Sequence, residues 1–181
     1  MTSAISRPGA SLGFTLIELL TTLTIFCVLV LTAVPMYGTF IANSQIRTAT
    51  ESMLSGVRLA QTEAVKRNGT VEFVLDPSNG WTVNDVTDPN APVALKTSKF
   101  IEGSKQTTIT PSNAFRKVSF SGLGRIVTKN PSDGTSPLTQ VDVTTSASMS
   151  GTRTLRVVIG SAYGIKACDP ALNAADPAGC P

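Results

Sequence analysis

Glu18 is the lone charge in an apolar run that extends from Phe14 to Val34. A carboxylate costs several kcal/mol near the centre of a bilayer and less toward its interface. The chemistry open to such a group is ion pairing with a cation brought by another molecule, which points to assembly and away from catalysis. Histidine is absent from all 181 residues. The commonest general base and the commonest metal ligand are therefore missing. The many Ser and Thr hydroxyls have no imidazole to activate them, and no Ser-x-x-Lys pattern falls on a convincing helix. No glycine-rich loop suited to phosphate is present. Asp76, Asp85, Asp88 and Asp133 fall at turns, where carboxylates hydrogen-bond the local backbone; a calcium site in those loops is the functional alternative. The residues imply no enzyme activity, no cofactor and no metal.

The other groups with chemistry are three cysteines. Cys27 lies inside the apolar run and reads as a small hydrophobe. Cys168 and Cys180 bracket a Pro-, Ala- and Asp-rich stretch with little capacity to order itself. A disulfide between them restricts the unfolded chain and pins the loop, and it implies an oxidising compartment such as a periplasm. Two free thiols in a reducing compartment, or a metal-binding pair, are the alternatives. The formal charge is +3 from 15 basic and 12 acidic residues, with no block of like charge. Global charge therefore gives no argument for nucleic acid.

These groups need elements to hold them. Phe14 to Val34 is about 31 Å long as a helix at roughly 1.5 Å per residue, which matches a hydrocarbon core of about 30 Å. Arg7 is the only charge before Gly13 and favours a cytoplasmic leader. A cleaved secretory signal is the competing reading, and an acid near the start of the apolar region argues against it. After Pro35 the apolar residues Ile46, Ala49, Met53, Val57, Ala60 and Ala64 recur at three- and four-residue spacing, with Leu54 and Val65 widening the stripe. Asn68-Gly69 supplies a helix stop. One helix is expected from about Phe14 to Arg67, with Pro35 and Gly38 permitting a kink or local melting.

From Thr70 the pattern is strands and turns. Strands are expected at Thr70–Leu75, Trp81–Val86, Val93–Phe100, Gln106–Thr110, Lys117–Phe120, Arg125–Thr128, Leu138–Thr144 and Arg153–Gly160. The expected fold class is α+β, a long helix packed on a C-terminal antiparallel β domain whose apolar face covers the helical stripe. The divisions are 1–13, 14–34, 35–69 and 70–181.

Gly13-Phe14-Thr15-Leu16-Ile17-Glu18-Leu19 resembles the processing site of type IV pilins and type II secretion pseudopilins. The resemblance implies a prepilin leader over 1–13, cleavage between Gly13 and Phe14 by a prepilin peptidase, and N-methylation of Phe14. It makes Glu18 the fifth residue of the mature chain and the family's assembly glutamate. The new amine of Phe14 is then its counter-ion, on a neighbouring subunit or within the same chain. An ion pair offsets the desolvation of both charges. Loss of the leader removes Arg7 and lowers the formal charge from +3 to +2.

The helix-then-strands layout, Phe120-Ser121-Gly122-Leu123-Gly124-Arg125, and Leu155–Gly160 running into Gly164–Cys168 are similar to the GspH/FimT group of minor pilins. Some pilus members of that group bind DNA through Gly-Arg-x-Arg. At the corresponding place this chain has Gly164-Ile165-Lys166-Ala167, so both arginines are replaced. Arg125, Arg153, Arg156 and Lys166, with Tyr163 to stack a base and Arg116 and Lys117 nearby, are the remaining DNA-binding candidates. The plain alternative is solubilising charge scattered over strand faces. The resemblance implies, as partners, a prepilin peptidase, other major and minor pilins or pseudopilins, and an inner-membrane assembly platform. It implies single-pass insertion in a bacterial inner membrane with the β domain periplasmic, then a place in a pilus or pseudopilus. A DNA-uptake pilin, or a single-pass periplasmic protein without a filament role, are the other two expectations.

Overall fold

The structure is a computed structural model that describes residues 13–76, 80–100, 103–112, 114–146, 151–162 and 164–181; within the helix, the side chains of residues 32 and 34–36 are not described. The chain falls into two compact units, Met1–Gly38 and Thr39–Pro181, and each is taken by itself.

In the first unit, helix α1 (Leu16–Arg67) begins. Its described large apolar side chains are exposed, from Leu16 at 82% to Leu31 at 76%. A helix apolar all round belongs in a non-aqueous or protein environment. Among the described residues no helix is long and apolar enough to cross a membrane. The uninterrupted described side chains cover 16–31 only, about 24 Å of helix at about 1.5 Å per residue. Residues 32 and 34, which the expected span also needs, are outside the described side chains.

The second unit carries the core. The α1 residues Ile46, Ala49, Met53, Val57, Ala60 and Ala64 are all at most 1% exposed, as the spacing predicts. Val65 departs from the expected stripe and is 53% exposed. The helix ends where expected: Asn68 adopts φ 49°, its N–H donates to Val65 O at 3.2 Å, and Gly69 N–H donates to Ala64 O at 3.1 Å. This is a Schellman stop, with Asn in the left-handed position that Gly usually fills.

Eight strands follow: β1 (Val71–Asp76), β2 (Gly80–Asp85), β3 (Val93–Lys99), β4 (Thr107–Pro111), β5 (Lys117–Phe120), β6 (Gln140–Thr145), β7 (Leu155–Gly160) and β8 (Gly164–Cys168). They form two four-stranded sheets, ordered β3-β2-β1-β5 and β4-β6-β7-β8, rather than one apolar sheet. Every named pair is antiparallel. Val71, Phe73, Leu75, Trp81, Val83, Val118 and Phe120 from the first sheet join Ile109, Val141, Val143, Val157 and Ile159 from the second in one core with α1.

Two expectations need correction. Arg125–Thr128 is not a strand: Ser121 N–H donates to Arg125 O at 2.9 Å, so the chain folds back and leaves one isolated bridge, Phe120 to Ile126. Gly164–Cys168 is a strand, β8, although Gly, Ile, Lys and Ala there give almost no alternation of apolar and polar types.

Candidate functional site

The first candidate is the start of α1. Gly13, Phe14 and Thr15 precede the helix and are exposed, with Phe14 at 85%. Thr15 Oγ1 accepts from Glu18 N–H at 3.3 Å, and Glu18 Oε2 accepts from Thr15 N–H and Thr15 Oγ1, each at 3.4 Å. This reciprocal pair is a capping box, Thr-x-x-Glu. It explains why the helix opens at Leu16 rather than Phe14, and it folds the carboxylate back onto its own chain. Thr21, Thr22 and Thr24 donate to carbonyls three residues earlier at 2.8–3.0 Å, which satisfies their hydroxyls within the helix. Cys27 is a free, exposed thiol on this segment.

The second is the C-terminal loop. Cys168 and Cys180 form a disulfide. Asp169 N–H donates to Ala178 O at 2.8 Å. Asp169, Asn173 and Asp176 each accept, through a side-chain oxygen, the N–H two residues on, at 2.8–3.2 Å. Three local turns and the bridge therefore fix a loop whose composition alone would leave it unordered. The loop walls a cleft of about 740 Å³ whose lining includes Ile46, Arg47, Arg153, Ala167 and Leu172.

The basic candidates do not gather. Arg156 is engaged by Asp142, with Nε to Oδ1 at 2.6 Å and Nη2 to Oδ2 at 2.9 Å. The hydrogen bonds to Asp142 raise the guanidinium pKa further, against the effect of burial. Lys166 shares the outer face of β7 and β8 with Arg156 and donates to Gly179 O at 3.4 Å. Arg153 lines the 740 Å³ cleft, while Arg125 lines a separate cleft of about 490 Å³ with Gln61, Gly160 and Ile165. Tyr163 lies outside the described residues. Lys117 is committed to Asp133 at 3.0 Å and Glu72 at 3.6 Å.

A polar cluster that the sequence did not reveal surrounds Glu72. Its carboxylate is 2% exposed and accepts from Ser119 Oγ at 3.2 Å and Ser132 Oγ at 2.7 Å. Asn130, also buried, accepts from Ser119 Oγ at 2.9 Å and donates to Lys117 O, Thr135 Oγ1 and Ser136 O. Lys117 Nζ donates to Ser132 Oγ at 2.9 Å. A serine beside a lysine amine is a nucleophile–base arrangement in principle. Here burial alone would lower the Lys117 pKa, but the hydrogen bond to Asp133 and the charges of Glu72 and Asp133 outweigh it and hold the ammonium above its ordinary value. The serine proton already goes to Glu72. The cluster locks the 129–137 loop over the outer face of the first sheet. Its one sign in the sequence is an acid, Glu72, set between Val71 and Phe73 in a largely apolar strand. Among the described residues no group of three or more His, Cys, Asp or Glu is placed to hold a metal.

An N-terminal helix packed through its second half on an antiparallel β domain is the pilin-like α+β fold. The chain belongs to the family described as type II transport protein GspH, whose model matches residues 49–162. Two solved structures resemble it. The minor pseudopilin EpsH from the type 2 secretion system of Vibrio cholerae aligns with TM-score 0.52 and 9% identity, over 71% of this chain and 99% of that one. The type IV minor pilin FimU of Pseudomonas aeruginosa aligns with TM-score 0.47 and 15% identity, over 66% of this chain and 86% of that one. No curated protein matches the chain.

Proposed function

We propose that this chain is a minor pilin or pseudopilin subunit without enzymatic activity. A prepilin peptidase cuts it between Gly13 and Phe14, Phe14 is N-methylated, and the chain is anchored in an inner membrane with its β domain periplasmic. From there it enters a type IV pilus or type II secretion pseudopilus through the first part of α1, in contact with the assembly platform and neighbouring subunits. One observation carries the reading: an exposed, largely apolar helical segment whose lone acid, Glu18, is bonded among the described residues to Thr15, beside exposed Gly13 and Phe14. Cutting there creates an amine within reach of that acid, and such a pair relieves the desolvation of both charges. Membership of the GspH family and the disulfide support the same reading.

The test is co-expression with a prepilin peptidase, followed by intact-mass measurement. The expected mass is that of residues 14–181 plus one methyl group. Gly13→Ala should leave the leader in place. Processing of Gly13→Ala at wild-type yield would remove the assigned cut. Glu18→Ala should be cut normally and fail to enter filaments; normal filament entry would remove the assembly role of the acid.

A further inference from the structure

Strand β8 ends the second sheet, and its outer edge is only partly closed. Ile165 O faces outward, because it accepts from Arg58 Nη2 at 3.3 Å across 107 residues of chain. In an antiparallel ladder the N–H and C=O of one residue point to the same side, and successive residues alternate. Ile165, Ala167 and Asp169 therefore present their backbone groups outward, while Gly164, Lys166 and Cys168 pair with β7. The chain closes this edge at Asp169, whose N–H donates to Ala178 O in the disulfide loop. Among the described residues, Ile165 N–H and both backbone groups of Ala167 have no hydrogen-bond partner. Ala167 is exposed and Ile165 is half-buried.

The surroundings suit a guest. The 740 Å³ cleft includes Ala167 in its wall and the 490 Å³ cleft includes Ile165. Both run along the seam between α1 and β8, with Arg58 at the seam. Arg125 and Arg153 stand one in each cleft, and neither makes an ion pair among the described residues. Of the acids in the larger cleft, Glu51 pairs with Arg47 at 2.7 Å, while Asp169 accepts from Ala171 N–H at 2.9 Å and keeps its charge. The four arginines Arg47, Arg58, Arg125 and Arg153 outnumber the two acids Glu51 and Asp169, so the net charge along the seam is positive.

We propose that the β8 edge is a docking strand for an extended, carboxylate-bearing segment of a partner polypeptide, which adds to the sheet at Ile165 and Ala167 and places its acids against Arg125 and Arg153. Strand addition draws affinity from main-chain bonds and specificity from the flanking side chains. Alternating amide donors and acceptors at strand spacing match a polypeptide backbone and not a phosphodiester. This goes beyond the filament role and does not depend on where the chain is cut.

The experiment uses the full, uncut chain in detergent micelles and a fluorescent decapeptide of alternating valine and glutamate. Binding should saturate and weaken at least tenfold when lysine replaces glutamate in the peptide. Ala167→Pro removes an outward N–H and leaves the β7–β8 bonds intact, so it should also weaken binding at least tenfold. The same peptide with alternate amides N-methylated keeps its charge and loses its pairing, so it tests the idea without altering the protein; it should not bind. Equal binding of the methylated and unmethylated peptides would overturn strand addition. Retention of a decathymidine oligonucleotide with no loss on Ala167→Pro, and no binding of the peptide, would assign the seam to nucleic acid instead.

Discussion

Arg156 and Asp142 face each other across β7 and β6 in register, joined by two hydrogen bonds of 2.6 and 2.9 Å. The fork of the guanidinium matches both carboxylate oxygens, the arrangement that makes a charge pair geometrically demanding. A side chain so occupied has little charge to offer a phosphate. Arg156→Ala should cost about 1 kcal/mol, because the pair is partly exposed and screened. The midpoint of thermal unfolding should fall by roughly 3 °C. Any retention of DNA by the wild-type chain at low salt should be unchanged in this variant. A loss of retention with an unaltered melting curve would return Arg156 to a binding surface.

The Glu72 cluster predicts a stronger effect. Removing one partner of a buried charge pair leaves the other uncompensated, at a cost of about 3–5 kcal/mol. The Lys117 side chain is 27% exposed, and that solvation places Lys117→Met at about 2 kcal/mol. Glu72→Gln combined with Lys117→Met should cost less than the sum of the two single changes, since the double variant leaves no orphan charge at that pair. Chemical denaturation of the four forms measures the coupling. Strict additivity would show that Glu72 and Lys117 do not stabilise one another.

The α1 stripe, the Asn68 stop and the turn carboxylates were legible because each is a local matter of periodicity or side-chain reach. Asp85 Oδ1, for example, takes both the N–H and the hydroxyl of Thr87, two residues on. The division into two sheets was not legible, because β4 pairs with β6 across 107–145 while β5 pairs with β1 across 71–120. Nothing in either segment states that choice. β8 escaped because its outer edge and its Gly and Ala content give no periodic signal. Glu18 stands out in the sequence because a charge is costly in an apolar run, whereas the roles proposed for Gly13 and Phe14 rest on the resemblance of the motif alone. The Glu72 cluster was hidden because its members come from β1, β5 and a loop 60 residues away from Glu72.

Acid should loosen the 129–137 loop. Burial alone would raise the Asp133 pKa, but the hydroxyl and N–H of Thr135 and the ammonium of Lys117 outweigh it and hold it below the usual carboxylate range. Asp85 is likewise lowered, chiefly by the Thr87 hydroxyl and N–H. A carboxylate with a depressed folded-state pKa contributes stability above its unfolded value, about 3.9 for Asp. That contribution is lost as pH falls through the lower folded value. Unfolding free energy should therefore decline below about pH 4. Asp133→Asn should show a shallower decline than the wild type and lower stability at neutral pH. An unchanged acid slope in Asp133→Asn would remove that carboxylate from the linkage.

Gly56 in mid-helix tests how tightly α1 meets the first sheet. By propensity, Ala in an exposed helix interior is better than Gly by about 1 kcal/mol. A Cβ at Gly56, however, would lie 2.8 Å from Trp81 Cδ2 and Cε2 and 2.9 Å from Phe73 Cε2. Trp81 has little room to retreat, since its Nε1 donates to Ser52 Oγ at 3.1 Å and its ring lies 5.8 Å from that of Phe73. Overpacking a core of this kind costs about 1–3 kcal/mol. That exceeds the propensity gain over most of its range, so Gly56→Ala should be net destabilising by about 1 kcal/mol. The change should also perturb the tryptophan fluorescence, and Trp81 is the single tryptophan. Gly56→Ala combined with Trp81→Phe should recover part of the loss at that contact, because the smaller ring vacates the space the new methyl needs. A more stable Gly56→Ala with unshifted emission would mean that propensity, not packing, decides this position.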